Sequence, residues 1–222
     1  HVRKGEILGI AGLMGSGRTE LAMSLFGRSY GRHISGKVLL HGREVDVSTV
    51  EKAVGHGIAY VTEDRKGYGL VLENEIKHNI SLANLPGVSR LGIINEGQEY
   101  SVAKEYQRKI NIRCPDVFQY VSNLSGGNQQ KVVLSKWLFA GPEVLILDEP
   151  TRGIDVGAKY EIYCLMAQLA KEGKCIVLIS SEMPELLGMA DRLYVMNEGA
   201  FVAEMDVAEA SQEKIMRAIV KA

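Results

Sequence analysis

Apolar residues along the chain fall into two patterns that alternate from one end to the other. Short, nearly continuous apolar runs predict strands at residues 6–11, 37–40, 58–62, 144–147, 175–179 and 192–196. Longer stretches in which apolar residues recur at helical spacing predict helices at residues 19–26, 129–140, 156–171 and 208–220. Strands that alternate with helices are typical of an α/β domain built on a parallel sheet.

The pattern changes between residues 74 and 136, where helical spacing dominates. A predicted helix in this stretch has its apolar residues on one face, formed by Tyr100, Ala103, Tyr106 and Ile110. Asn95, with Gln98 three residues later, resembles a capping box at the start of this helix. We therefore expect a parallel-sheet core with a helical subdomain inserted in its middle.

Composition excludes several classes of protein. The chain has 222 residues, 46% hydrophobic and 24% charged, which excludes disordered and low-complexity chains. A net charge of −1 argues against a general nucleic-acid binder. The spacing of the cysteines and histidines predicts neither a disulfide framework nor a zinc site. No apolar stretch approaches the roughly 18 residues of a transmembrane helix. Because the chain begins directly before a predicted strand, we expect it to be a piece of a longer protein.

A glycine-rich segment directly follows the first predicted strand. It matches the phosphate-binding pattern G-x-x-x-x-G-K-[ST], except that arginine stands where lysine is expected. Glycines let successive N–H groups turn toward phosphate oxygens, and the helix that follows adds its positive N-terminus. The candidate nucleotide-binding residues are Gly12, Gly15, Ser16, Gly17, Arg18, Thr19 and Glu20, with the Thr19 hydroxyl placed to bind Mg²⁺. The alternative is a glycine-rich turn that binds nothing.

Two adjacent carboxylates end the predicted strand at residues 144–147. Open α/β sheets bind their ligands at the carboxyl ends of the strands. Asp148 is expected to hold the metal through a shared water, and Glu149 to act as the general base that polarises the attacking water. The alternative is a strand that ends in two solvated acids.

The most specific segment is Leu-Ser-Gly-Gly-Asn-Gln-Gln at residues 124–130, which opens a predicted helix. Here the sequence resembles the ATP-binding-cassette (ABC) ATPases, whose signature begins LSGG-x-Q, and the three segments stand in the order of that family. The resemblance implies an α/β P-loop NTPase fold: a RecA-like parallel-sheet core with an antiparallel β portion and an inserted helical subdomain. Residues 1–222 would form one ABC ATPase domain, with the core at about 1–75 and 140–222 and the helical subdomain at about 76–139. ATP and Mg²⁺ are the implied cofactors.

The resemblance can be narrowed by four segments: GLMGSGRTEL, LSGGNQQK, DEPTRGIDVGAK and SSEMPELLGMADR. Together they resemble the second cassette of the tandem, single-chain ATPases of bacterial monosaccharide importers of the ribose, galactose and xylose type. The first cassette and the N-terminal strands of the second would then be absent from this chain. The implied partners are that first cassette, a membrane permease and, indirectly, a periplasmic sugar-binding protein, with no nucleic acid. The implied location is peripheral, on the cytoplasmic face of the bacterial inner membrane.

Three positions depart from the pattern of most cassettes. Arg18 replaces the phosphate-binding lysine, and Glu63 stands where most cassettes carry a glutamine that contacts Mg²⁺ and the membrane subunit. Ser181 stands where most carry a histidine that contacts the γ-phosphate. Arginine is bulkier and more planar than lysine, and loss of a donor to developing charge slows chemistry. We expect the nucleotide site that this domain forms with its own phosphate loop to be weakened.

The resemblance gives the signature segment a different role. Paired cassettes place each nucleotide between one phosphate loop and the partner's signature, so Ser125, Gly126, Gly127 and Gln129 would serve ATP held by the other cassette. Asp155 would lie near the seam of the pair. Residues 63–79, with Tyr68, Leu70 and Val71, would contact the membrane subunit.

Two other functions compete with that of a transport ATPase. The first is a non-catalytic module that binds ATP at Arg18 and Thr19 and acts as a nucleotide-sensing clamp. The second is a soluble ABC ATPase of DNA repair or chromosome organisation. Proteins of that class carry long coiled-coil insertions, for which the interval between Thr19 and Leu124 leaves no room. The sequence leaves the identity of any transported sugar open.

Overall fold

The computed structural model describes residues 1–221, and its strands and helices alternate as the apolar pattern predicts. The strands are β1 (Ile7–Gly12), β2 (Val38–Leu40), β3 (Arg43–Val45), β4 (Ile58–Val61), β5 (Ser89–Arg90), β6 (Ile93–Ile94), β7 (Val144–Asp148), β8 (Cys175–Ile179), β9 (Arg192–Asn197) and β10 (Ala200–Asp206). The helices are α1 (Arg18–Leu25), α2 (Val50–Gly55), α3 (Ile76–Ser81), α4 (Glu96–Lys109), α5 (Gly126–Phe139), α6 (Val156–Lys171), α7 (Met183–Met189) and α8 (Gln212–Lys221).

The six predicted strands and the helix at residues 156–171 are confirmed, with small shifts at the strand ends. The prediction of a helix from residue 208 was wrong at its start. A 3₁₀ turn occupies Val207–Glu209, and α8 begins at Gln212. The helix predicted at residues 129–140 begins three residues earlier, at Gly126, because Ser125 caps it. The apolar pattern did not predict β3, α2, α7 or β10, which are short or carry mostly exposed residues.

The chain divides into two compact units. The first comprises His1–Tyr60, Pro142–Pro150 and the chain from Met166 onward, and the second comprises Val61–Gly141 and Thr151–Leu165.

A six-stranded sheet with the order β10-β9-β1-β8-β7-β4 forms the centre of the first unit. β1 runs parallel to both β8 and β9, β7 runs parallel to β8, and β10 pairs antiparallel with β9. Every residue of β1 is buried, as expected for a parallel strand that is covered on both faces. Ile179, the last residue of β8, lies opposite Ile10 on one side and Asp148 on the other. The carboxyl ends of these three strands therefore meet at one edge of the sheet.

The second unit is mainly helical, with α3 packed against α4 and α5. The predicted apolar face of α4 is confirmed at Ala103, Tyr106 and Ile110, which are buried, whereas Tyr100 is only partly buried. Only half of the predicted capping box forms. The Asn95 side chain accepts a hydrogen bond from the Gln98 amide N–H, but the Gln98 side chain donates to the Gly87 carbonyl instead. Along residues 1–221, every helix is too short or too polar to serve as a transmembrane segment.

A buried ion pair joins β1 to β9 in the first unit. Arg192 Nε donates to Glu6 Oε1 at 2.8 Å, and both side chains are less than a tenth exposed. Burial alone would raise the pKa of Glu6, but the hydrogen bond from Arg192 and further interactions outweigh it, and the pKa lies below its usual 4.5. The hydrogen bond to Glu6 also raises the pKa of Arg192.

We predict that Arg192→Met lowers the free energy of unfolding by about 3–5 kcal/mol at pH 7, because it leaves the Glu6 carboxylate buried without its partner. The stabilisation from Glu6 is present above pH 4.5 and is lost as the pH falls through its lowered pKa, so the difference from wild type should narrow in acid. Urea unfolding between pH 3 and pH 8 measures both effects.

The control is Arg217→Met, which breaks the exposed Arg217–Glu213 pair. It should cost less than about 1 kcal/mol at every pH, as exposed pairs do. Equal losses in the two variants would contradict a stabilising role for the buried pair.

Candidate functional site

The loop after β1 has the backbone that a phosphate-binding loop requires. Gly15 and Gly17 have φ of 81° and 96°, in the left-handed region that favours glycine. A Cβ atom on Gly12 would lie 2.5 Å from Ser16 Oγ and 2.6 Å from the Met196 carbonyl oxygen, so only glycine fits there. The loop then enters α1, whose N-cap is Gly17.

Ser16 Oγ, in this loop, and Asp148 Oδ1, at the end of β7, are buried and lack a hydrogen-bond partner among the described residues. The other oxygen of Asp148, Oδ2, accepts a hydrogen bond from the Tyr60 hydroxyl at 2.9 Å. Burial raises the pKa of Asp148, although hydrogen bonds from Thr19 and Tyr60 lower it in part. A carboxylate oxygen without a partner, close to the Thr19 hydroxyl, fits the donor set that Mg²⁺ prefers.

Glu149 turns sharply away from the strand that precedes it. Its φ is 48°, a left-handed conformation that is uncommon for residues other than glycine, and its N–H donates to the Ile179 carbonyl at 2.9 Å. Ser181 Oγ donates to Glu149 Oε2 at 3.1 Å. Burial raises the pKa of Glu149, while Ser181 and Arg18 each lower it in part. Two residues chosen independently from the sequence, Glu149 and Ser181, are therefore in direct contact.

Arg18 is directed toward the edge of the sheet. Its Nη1 donates to the Ser180 carbonyl at 2.6 Å, and its Nη2 lies 3.7 Å from Glu149 Oε1. The side chain is 8% exposed, so this cation is compensated almost entirely by protein groups. Burial lowers the pKa of Arg18, and the charges of Glu149 and Asp148 raise it in part. Sequence reasoning did not anticipate the Ser180 contact, because a backbone carbonyl leaves no signal in the residue pattern.

Glu63 belongs to the second unit, where its carboxylate forms an ion pair with the Arg152 guanidinium. Thr19 and Asp148, the other two residues predicted to hold metal, belong to the first unit. The role of Glu63 as a metal ligand stays a prediction. Arg152 was not singled out from the sequence, since no spacing links it to position 63.

The predicted signature residues lie at the beginning of α5, in the second unit. Ser125 is exposed and caps the helix by accepting from the Asn128 N–H. Gly127 packs so closely that a Cβ atom there would lie 2.5 Å from Ala158 Cβ. Gln129 differs from the expectation: it is 5% exposed, and its amide donates to the Val121 carbonyl at 3.2 Å. In this structure Gln129 supports the turn from within, and a contact with nucleotide stays a prediction.

Asp155 and the signature line the same small cleft. The cleft has a volume of about 90 Å³, and Ser125, Gly127 and Asp155 are among its lining residues. Asp155 Oδ1 accepts from the Ala158 N–H at 3.0 Å, and this hydrogen bond lowers the pKa of Asp155. Sequence reasoning did not identify Arg113, which also lines the cleft.

The residues predicted to contact a membrane subunit are only partly exposed. Tyr68 is 78% exposed and Val71 is 42% exposed, but Leu70 is buried. Leu70 is therefore unavailable as a surface contact in this structure.

Comparison with known proteins defines the class to which this arrangement belongs. Residues 1–152 match the family model described as ABC transporter, and the fold matches a nucleotide-free ATP-binding cassette from an ABC transporter. That match has a TM-score of 0.78 at 20% identity and covers all of this chain and 86% of the other. A dimeric cassette bound to ADP and Pi matches with a TM-score of 0.77 at 20% identity, over 93% of this chain and 88% of that one. The chain belongs to the ABC transporter ATP-binding family.

The chain is also similar to several curated sugar-import ATP-binding proteins. It is 60% identical over 220 residues to the L-arabinose transport ATP-binding protein AraG of Geobacillus stearothermophilus, covering 99% of this chain and 43% of that protein. It is 54% identical over 214 residues to the xylose import ATP-binding protein XylG of Thermoanaerobacter pseudethanolicus, covering 96% of this chain and 42% of that protein. The ribose import ATP-binding protein RbsA of Clostridium perfringens is 49% identical over 217 residues, with coverage of 97% and 43%. The chain thus spans less than half the length of these relatives.

We predict that Arg18→Met destabilises the first unit by about 1–3 kcal/mol at pH 7, because it leaves the Glu149 carboxylate buried without its cation. Loss of the cation raises the pKa of Glu149 further, so protonation should relieve the defect. The difference from wild type should therefore shrink as the pH falls from 7 to 5, as measured by thermal or urea unfolding.

The matched control is Arg28→Met, which removes an exposed arginine from the same unit and should change stability by less than about 0.5 kcal/mol. If the loss in Arg18→Met did not depend on pH, the pairing with Glu149 would be contradicted.

Proposed function

We propose that this chain is an ATP-binding and ATP-hydrolysing domain of the ATPase that energises a bacterial sugar importer. Its family, the sugar-import names of its relatives and the three nucleotide-related segments support the assignment. The domain acts as the second of two cassettes in one polypeptide and works with a membrane permease and, indirectly, a periplasmic sugar-binding protein. It is held peripherally at the cytoplasmic face of the inner membrane. The core and helical subdomain predicted at residues 1–75, 76–139 and 140–222 belong to the same proposal.

The loop at residues 12–17 and the N-terminus of α1 bind the phosphates of ATP through backbone N–H groups. Ser16 Oγ, buried without a partner, is available as a further donor. Thr19 and Asp148 hold Mg²⁺. When bound, the ion neutralises charge on the phosphate oxygens.

One observation supports different roles for this domain's own nucleotide site and that of the other cassette. In this domain, the carboxylate proposed as general base is paired with an arginine of the same phosphate loop. Glu149 is contacted by Arg18 on one oxygen and by Ser181 on the other. A general base must be free to take a proton from the attacking water, and a carboxylate that is already compensated is weaker in that role. The signature, by contrast, presents an exposed Ser125 at the N-terminus of α5. The domain therefore contributes chiefly through Ser125, Gly126 and Gly127 to ATP held by the other cassette.

The contact between Arg18 and Glu149 also favours a second candidate function. A domain that binds ATP while Glu149 stays paired with Arg18 would not hydrolyse the nucleotide and would act as a nucleotide-sensing clamp. The two functions differ in whether Glu149 contributes to turnover in the two-cassette protein.

We predict that Thr19→Val weakens binding of MgATP by about tenfold but leaves binding of ATP without Mg²⁺ nearly unchanged, because the hydroxyl serves the ion and the backbone serves the phosphates. Isothermal titration calorimetry with and without Mg²⁺ measures both affinities.

Thr49→Val is the control, since it removes a hydroxyl at the N-cap of α2 in the same unit and should leave both affinities unchanged. Equal affinity of Thr19→Val and wild type for MgATP would contradict the assigned ion site.

We predict that Ser125→Arg lowers sugar uptake and ATPase rate in the two-cassette protein more than Glu149→Gln does, by tenfold or more. The long cation obstructs the helix N-terminus that faces the competent site, whereas Glu149 serves a site that is already impaired. Uptake into vesicles and ATPase rates should be compared at matched expression and assembly.

Ser122→Arg provides the control, because it adds the same cation at an exposed position three residues earlier. If Glu149→Gln were as damaging as Ser125→Arg, both sites would hydrolyse ATP and the assignment as the donor half would be wrong.

A further inference from the structure

Residues 63–69, here called the strap, lie against the signature helix α5 within the second unit. Arg65–Gly69 form a single π-helical turn whose N-cap is Asp64. At its far end the Gly69 carbonyl accepts from Lys136 Nζ at 2.5 Å, and a Cβ atom on Gly69 would lie 3.2 Å from Val133 Cγ2. The strap is therefore fixed to the third turn of α5.

Arg65, near the other end of the strap, lies beside the first residue of α5. Its Nη1 donates to the Arg152 carbonyl at 3.1 Å. A Cβ atom on Gly126 would lie 2.8 Å from Arg65 Nη2 and 3.3 Å from the Gly153 carbonyl oxygen. One guanidinium thus bonds to the Arg152 carbonyl and lies beside the signature turn. Arg152 follows the carboxylates of β7 in the chain and precedes Asp155.

A second ion pair reinforces this arrangement. The Glu63 carboxylate, two residues before Arg65, pairs with the Arg152 guanidinium. The strap therefore holds Arg152 twice, by its side chain through Glu63 and by its carbonyl through Arg65.

We propose that Arg65 is a positioning residue that holds the signature turn, residues 125–127, in register with residues 152–155. It acts through the planar fork of its guanidinium, in which Nη1 donates to the Arg152 carbonyl while Nη2 lies beside Gly126; the single ammonium of lysine cannot occupy both positions. A side chain at position 126 would force the guanidinium to shift. The consequence for catalysis rests on the proposed function, since the turn matters only if it serves nucleotide in a paired cassette.

The placement of Arg65 can be tested without ATP hydrolysis. In the full protein, Arg65→Ala should speed amide hydrogen exchange in the peptide spanning residues 121–130 by about threefold to tenfold, the range expected for loss of one hydrogen bond. Arg65→Lys should resemble Arg65→Ala, because it keeps the charge but loses the fork. Lys66→Ala, which removes the exposed neighbouring cation, should match wild type.

A double-variant comparison tests the contact with Gly126 directly. Gly126→Ala should speed exchange in the same peptide, and its added effect should be smaller in the Arg65→Ala background, where the fork is already gone. Additive effects would show that the two residues do not act on each other, and would overturn the proposal. Wild-type exchange in Arg65→Lys would overturn the requirement for the fork.

The functional consequence is measured on the two-cassette protein. Arg65→Ala should lower kcat for ATP by about tenfold with KM changed less than twofold, since the nucleotide is held mainly by the other cassette's loop. Parallel changes in kcat and KM, together with a lowered Tm, would indicate general structural damage and overturn the positioning role. If hydrogen exchange changed but kcat did not, Arg65 would hold the turn without affecting ATP hydrolysis. That result would contradict the proposed role of the signature.

Discussion

Parallel pairing of β1 and β7 on either side of β8 is the constraint on which the candidate site depends. Because Ile179 lies opposite both Ile10 and Asp148, the three chain segments that leave these strands start at the same edge. Residues far apart in sequence, such as Arg18 and Glu149, thereby come within contact distance. Side-chain chemistry at this edge is a consequence of strand register, and a shift of one residue would turn each side chain to the opposite face of the sheet.

Burial at that edge requires that charges be compensated inside the protein. Glu149 and Arg18 are each less than a tenth exposed, and in such surroundings an unpaired charge is costly. The structure meets this requirement with a short set of contacts: Arg18 to the Ser180 carbonyl, Arg18 to Glu149, and Ser181 to Glu149. These contacts stabilise the buried Glu149 carboxylate, but they also make it less able to accept a proton. Stability and catalysis by Glu149 therefore have opposing requirements. Asp148 Oδ1 and Ser16 Oγ, left without partners in the described residues, are the groups that a ligand would satisfy.

In the second unit, several contacts hold the N-terminus of α5 in place while leaving it accessible. Ser125 caps α5, Gly127 packs against Ala158, and Gln129 supports the turn from beneath. Lys136 attaches the strap to the third turn of α5, and Arg65 lies beside the first residue of that helix. Burial of the Lys136 ammonium lowers its pKa to about 8. The exposed Ser125 is thus carried by a framework whose own polar groups are largely engaged within the unit.

The sequence by itself determined the α/β alternation and the loops that carry the candidate site residues. It also predicted six of the strands: β1, β2, β4, β7, β8 and β9. These follow from local causes: continuous apolar runs for buried strands, glycines where φ is positive, and Ser125 or Asn95 as helix caps. It also singled out Glu149, whose residue type matches the family pattern at its position, and Ser181, whose residue type departs from it. Local pattern failed for β10 and α8, whose limits depend on what each residue packs against.

Only the tertiary structure decided what the chosen residues touch. Arg18 sits in a phosphate-loop pattern, yet its guanidinium contacts Ser180 and Glu149, because strand pairing brings the end of β8 beside it. Gln129 belongs to the signature pattern but is directed inward to Val121, and Arg65, which no pattern selected, reaches Arg152 and lies beside Gly126. The physical reason is the same in each case: a side chain's partners are set by long-range packing, and residue spacing along the chain records only its near neighbours.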